Sequence, residues 1–76
     1  MKELVEFIAK ALVDHPEAVD VSLVDGERST IVELRVSPDD MGKVIGKQGR
    51  IAKAIRALVK AAAMRDGKRV VVEIVQ

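Results

Sequence analysis

The chain opens with Leu4, Phe7, Ile8, Ala11 and Leu12 recurring at spacings of three and four, while Glu3, Glu6 and Lys10 lie elsewhere around the turn. That spacing predicts an amphipathic helix from Lys2 to about Asp14. His15-Pro16 stops it, because the residue before a proline is pushed out of the α region. His15 itself reads as a cap on the helix C-terminus rather than a catalytic base. From Val19 the period changes to two. Val19, Val21 and Leu23 alternate with Asp20, Ser22 and Val24, and after Asp25-Gly26 a second run sets Val32, Leu34 and Val36 against Ile31, Glu33 and Arg35. These runs predict a hairpin. For the odd-numbered set of one strand to share a face with the even-numbered set of the other, paired residue numbers must sum to an odd total. The loop then holds an even number of residues, two or four.

In Ser37-Pro38-Asp39-Asp40, Ser37 can cap, Pro38 fits a first helical position, and the two aspartates complement the positive end of a helix dipole. A short helix is expected from here to Ile45. Adjacent helical positions do not face each other, so the two carboxylates read as capping groups and not as an acid/base or metal pair. After Gly46-Lys47-Gln48-Gly49 a long helix is predicted from Arg50 to about Met64. Leu58, Ile51, Ala62, Ile55, Val59 and Ala52 form its apolar face, and Arg50, Lys53, Arg56 and Lys60 collect on the other side. Gly67 suits a left-handed cap. Lys68 to Val75, β-branched and apolar beyond Lys68 and Arg69 except at Glu73, reads as a strand with more burial on both faces than the first two and the best protected of the three.

Composition narrows what such a chain can do. With 76 residues it reads as one small domain, residues 1–76, burying about 60% of the surface its unfolded form would expose, so nearly every apolar residue must join one core. There is no Cys and a single His, which excludes a disulfide, a thiolate nucleophile and a Cys- or His-rich metal site; no cofactor is implied. Charged residues interrupt every apolar stretch well short of the roughly 20 needed to span a bilayer, and Glu3 and Glu6 interrupt what would be a signal peptide. The net charge of +1 conceals a polarity. Residues 1–37 carry four basic and eight acidic groups, a net of −4, whereas residues 38–65 carry seven basic groups against Asp39 and Asp40, a net of +5. A basic face aimed at an anion, or simply a solvated helix face, accounts for that split.

The chemistry is concentrated in Asp40 to Arg50. Gly46 can end the short helix at positive φ, and Gly49 can let backbone N–H groups at the start of the long helix approach an anion closely. Lys47 and Arg50 add charge there, with Lys43 one turn earlier. A Walker-type spacing, a nucleophile and a base are all missing, so no enzyme is expected. The G-x-x-G turn gains meaning from its setting: Val44-Ile45 before it, a basic residue inside it, and Ile51-Ala52-Lys53-Ala54-Ile55-Arg56-Ala57-Leu58 after it. In that setting the whole chain resembles the KH domain in its helix-first, type II arrangement (α-β-β-α-α-β), and is most similar to the KhpA family of small bacterial RNA-binding proteins. It departs from many eukaryotic members in having Ala52 where they place an isoleucine.

The resemblance implies an α+β fold, a three-stranded sheet covered on one face by three helices. It also implies a cytoplasmic protein that clamps single-stranded RNA by its backbone at Gly46, Lys47, Gln48 and Gly49, flanked by Lys43, Arg50 and Lys53. Val36, Val44, Ile45 and Ile55 are the candidates for the groove that takes the bases. No aromatic residue lies near the turn, so base stacking on Phe, Tyr or Trp is not available and binding by one domain should be weak. Between the apolar and basic faces of the long helix, Ala54, Ala57, Ala61 and Met64 form a small-residue edge. It is either an exposed strip of good helix formers or a dimer interface. The family resemblance implies self-pairing or pairing with a larger KhpB-like partner, in post-transcriptional regulation or RNA chaperoning linked to cell elongation and division. A scaffold acting mainly through dimerisation on that helix is the alternative reading.

Overall fold

The computed structural model describes residues 1–75. Six regular elements follow in the expected order: α1 (Lys2–Leu12), β1 (Asp20–Asp25), β2 (Thr30–Arg35), α2 (Met41–Ile45), α3 (Arg50–Arg65) and β3 (Val70–Val75), with short 3-10 turns at Pro16–Ala18, Pro38–Asp40 and Lys47–Gly49. The fold is α+β, with the sheet order β1-β2-β3. β1 and β2 pair antiparallel from Asp20↔Arg35 to Asp25↔Thr30. The paired numbers total 55, an odd sum, and the loop is the four-residue Gly26 to Ser29, closed by the Gly26 N–H donating to the Ser29 carbonyl at 2.8 Å.

β3 lies parallel to β2, from Thr30↔Val70 to Arg35↔Val75. It is therefore an edge strand, and the expectation that it would be the best protected is corrected: β2, with Val32 and Leu34 fully buried, holds the centre. A β-branched run suits either place. The hairpin already occupies one side of β2, and the strand that returns after α3 takes the other. One face of the sheet packs on the helices through Val21, Val32, Leu34 and Val72. By strand alternation the opposite face carries the row Val24, Ile31 and Val71, and beside it Ser22, Glu33 and Glu73. Arg56 on α3 reaches β3, its Nε donating to the Val72 carbonyl at 3.3 Å.

Two helices turn differently from their predicted faces. In α1 the fully buried residues are Val5 and Ala9, while Phe7 is 74% exposed and Ala11 also faces solvent. The smaller side chains let α1 lie close to the sheet. In α3, Ala52, Ile55, Val59 and Ala63 are buried, and Leu58, expected inside, is 57% exposed. α3 ends as predicted near Gly67, which has φ 68; the Lys68 N–H donates to the Ala63 carbonyl and the Gly67 N–H to the Met64 carbonyl, a Schellman closure.

The segment before α2 corrects the capping expectation. Ser37 makes no side-chain cap, and Pro38–Asp40 is a 3-10 turn. Asp40 does not serve a dipole at the surface: its side chain is buried, and its two carboxylate oxygens accept the N–H groups of Asp14 at 3.2 Å and His15 at 2.9 Å. α1 stops at Leu12, two residues early, and the chain leaving it is held by this carboxylate; His15 hydrogen-bonds it through its backbone N–H, and its ring acts on it only through charge. Burial pushes the Asp40 carboxyl up, but the two N–H donors and the nearby His15 and Lys43 outweigh it and leave the group below its ordinary 3.8.

A depressed folded-state pKa means that the unfolded chain binds the proton more readily, so this stabilisation is present above 3.8 and is lost as the pH falls through the lower folded value. Asp40→Asn should lower the urea midpoint at neutral pH, and the gap to wild type should narrow only below 3.8, as the wild-type carboxyl is itself neutralised. A gap that stays constant into strong acid would contradict the assignment.

Candidate functional site

The G-x-x-G turn joins α2 to α3 through three unusual backbone positions within four residues. Gly46 has φ 75 and ψ 175, a conformation essentially restricted to glycine; Gln48 has φ 58 and ψ 25, and Gly49 has φ 74 and ψ 15, both left-handed. The Gly46 N–H closes α2 on the Gly42 carbonyl at 2.8 Å, and the Gly49 N–H returns to the Gly46 carbonyl at 3.2 Å. The N–H groups of Lys47 and Gln48 find no acceptor among the described residues. Two unpaired donors therefore stand together at the start of a 16-residue helix, where the aligned peptide dipoles also favour negative charge.

The two glycines serve different needs. A Cβ on Gly46 would lie 2.6 Å from Cγ1 of Ile51, so this position is closed by contact as well as by its φ. Around Gly49 a Cβ would meet nothing within 4 Å, and that side of the turn is open to an approaching group. Ile51, placed by spacing on the apolar face of the long helix, is half-buried against Gly46, a contact that spacing alone did not reveal. The positive φ of Gln48 was equally invisible, since glutamine carries no sequence signal for it.

Of the predicted site residues, Lys47, Gln48, Arg50 and Lys53 are exposed around the turn, and Gly46 and Gly49 are half-buried within it. Lys43 is exposed but engaged: its Nζ hydrogen-bonds the Asp14 carboxylate and lies 3.6 Å from Asp40. The Asp14 hydrogen bond is the main reason its pKa is raised. Its charge is thereby countered within the fold, whereas Lys47, Arg50 and Lys53 have no ion-pair partner among the described residues. The groove candidates separate more sharply. Val44 and Ile55 are buried in the core and Val36 is nearly so, which leaves only Ile45 half-exposed. In a domain this small the core needs those side chains. On α3, Ala54, Ala57 and Ala61 are exposed together with Leu58, while Met64 lines a separate cavity beside β3. Among the described residues no helix is long and apolar enough to cross a membrane, and no cluster of His, Asp or Glu could hold a metal.

The model of the KhpA/KhpB KH domain matches residues 2–74, the turn included. The chain belongs to that KH-domain family. Its similarity to individual members is high and runs end to end. It is 72% identical over 75 residues to a Clostridium perfringens protein named RNA-binding protein KhpA, covering 99% of this chain and all of the relative. The protein of the same name from Caldanaerobacter subterraneus subsp. tengcongensis is 67% identical over 75 residues with the same coverage. The one from Aquifex aeolicus is 50% identical over 76 residues, covering all of this chain and 96% of the relative. No solved structure matches the chain significantly.

The different demands on the two glycines are testable by urea denaturation. Gly46→Ala should cost about 3 kcal/mol or more, from φ strain and collision with Ile51. Gly49→Asn should cost less than about 1 kcal/mol, since asparagine tolerates the left-handed region and meets open space.

Proposed function

We propose that the protein binds single-stranded RNA, holding the sugar-phosphate backbone at the Gly46–Gly49 turn. The observation that carries this reading is the pair of unpaired N–H groups on Lys47 and Gln48, set at the N-terminus of α3 beside open space at Gly49. Phosphate oxygens match such donors in charge and geometry, and the side chains of Lys47, Arg50 and Lys53 add attraction at longer range. Lys43 contributes less directly, because Asp14 and Asp40 already counter it. The bases would rest against Ile45 and Ile51 at the surface rather than against Val36, Val44 or Ile55. The name RNA-binding protein, carried by relatives aligned over nearly the whole chain, supports the choice of RNA.

A second, compatible reading is dimerisation through α3. Leu58, exposed beside Ala54 and Ala61 at spacings of four and three, forms an apolar strip that small neighbours allow another helix to approach closely. On this reading the protein works in the cytoplasm as a homodimer, or with a KhpB-like partner, in post-transcriptional regulation or RNA chaperoning that bears on cell elongation and division.

The clamp is tested with Lys47→Asp/Gln48→Asp, which places two carboxylates at the turn without touching the core. Affinity for a short oligonucleotide, measured by fluorescence anisotropy, should fall by at least tenfold; unchanged affinity would remove the proposal. For the second reading, light scattering of Leu58→Glu should give the monomer mass where wild type gives twice that mass, and a wild-type monomer at all concentrations would sink it.

A further inference from the structure

At the far end of α3, away from the G-x-x-G turn, a half-open cavity of about 540 Å³ lies between the end of the helix and the start of β3. Lys60 and Met64 of α3, Lys68 and Arg69 of the connection, and Val70 and Val71 of β3 line it. Three cations thus converge on an apolar floor. Among the described residues no carboxylate lines the cavity, and none of the three has an ion-pair partner. Their backbone is fixed. The Lys68 N–H is tied to the Ala63 carbonyl at 2.9 Å by the helix closure, and the Arg69 carbonyl accepts the Thr30 N–H at 3.0 Å where β2 begins. Lys68 and Arg69 are therefore presented by a rigid junction.

The cavity is continuous in charge with the turn. Lys53, Arg56 and Lys60 recur at intervals of three and four along one stripe of α3, and the Arg56 bond to the Val72 carbonyl places that stripe against β3. Lys60 stands ten residues beyond Arg50, about 15 Å along the axis at about 1.5 Å per residue. A stacked strand advances about 3.4 Å per nucleotide, so that distance corresponds to about four nucleotides beyond those held at the turn.

We propose that this cavity is a second phosphate-binding subsite, at which Lys60, Lys68 and Arg69 hold the continuation of an RNA strand whose first segment lies on the G-x-x-G turn. The inference rests on the RNA-binding reading above and extends it. A strand of about four nucleotides fills the turn alone, and one of about eight or more reaches both subsites. The cavity has no aromatic lining, so it holds the backbone, with bases packing loosely on Met64 and Val71 and little choice among them.

The experiment compares oligouridylates of about four and about twelve nucleotides on wild type, on Lys68→Ala/Arg69→Ala, and on Lys47→Asp/Gln48→Asp. The backbone bonds at positions 68 and 69 survive alanine, and a wild-type thermal midpoint for that variant checks folding. Lys68→Ala/Arg69→Ala should bind the short strand within about twofold of wild type and the long strand about tenfold more weakly. Its logarithmic salt slope on the long strand should be smaller by about 1.4, two phosphate contacts at about 0.7 each. Equal losses on both lengths, or no loss on either, overturn the second subsite and leave the turn untouched. Unchanged short-strand binding by Lys47→Asp/Gln48→Asp overturns the turn instead.

Discussion

A single buried carboxylate fixes the helical layer. α2 is five residues long, too short to hold its conformation by its own hydrogen bonds. Asp40, at its start, binds the two N–H groups of the chain leaving α1, so each end of this contact satisfies polar groups the other would leave stranded. From that anchor Val44, one turn on, enters the core fully buried. The direction of α2 is then set by one hydrogen-bonded point and one packed point, and with it the position from which Gly46 turns the chain into α3. A site displayed on a turn needs rigid elements behind it, and here the rigidity reaches back to residues more than twenty positions earlier in the chain.

The order of elements was legible because each announces its period. The change from three-and-four spacing to alternation at Val19 marks the helix–strand boundary, and alternation with parity alone required the even hairpin loop that Gly26 to Ser29 provides. What escaped was whatever depends on a partner distant in sequence. Between Leu4 and Leu12 only Glu6 and Lys10 are polar, so periodicity could not decide that Val5 and Ala9, rather than Phe7, meet the sheet. Asp40 announced itself as an acid at a helix start; its actual partners, the N–H groups of Asp14 and His15, carry no side-chain signature at all. The glycines of the turn were legible as glycines, but the contact that makes Gly46 irreplaceable comes from Ile51. The same logic explains the groove residues: Val44 and Ile55 flank the turn in sequence, yet a core of this size claims both.

The two faces of the sheet also sort charge. The helical side carries the basic stripe of α3, while the uncovered side presents Glu33 and Glu73 as paired neighbours in the parallel register. With Asp20 and Arg35 paired on the same face, that side is acidic on balance, opposite in sign to the stripe on α3. The near-neutral total then limits non-specific adhesion without weakening the local attraction.

Arg56 has a consequence of another kind. Val70 to Val75 is a short, strongly β-forming, nearly uncharged segment at the margin of a sheet, the sort of strand that recruits like strands from other molecules. By placing a guanidinium on the Val72 carbonyl, α3 occupies one of the acceptors that an incoming strand would need and sets a bulky cation in its path. The helix that carries the basic stripe thus also covers part of this edge.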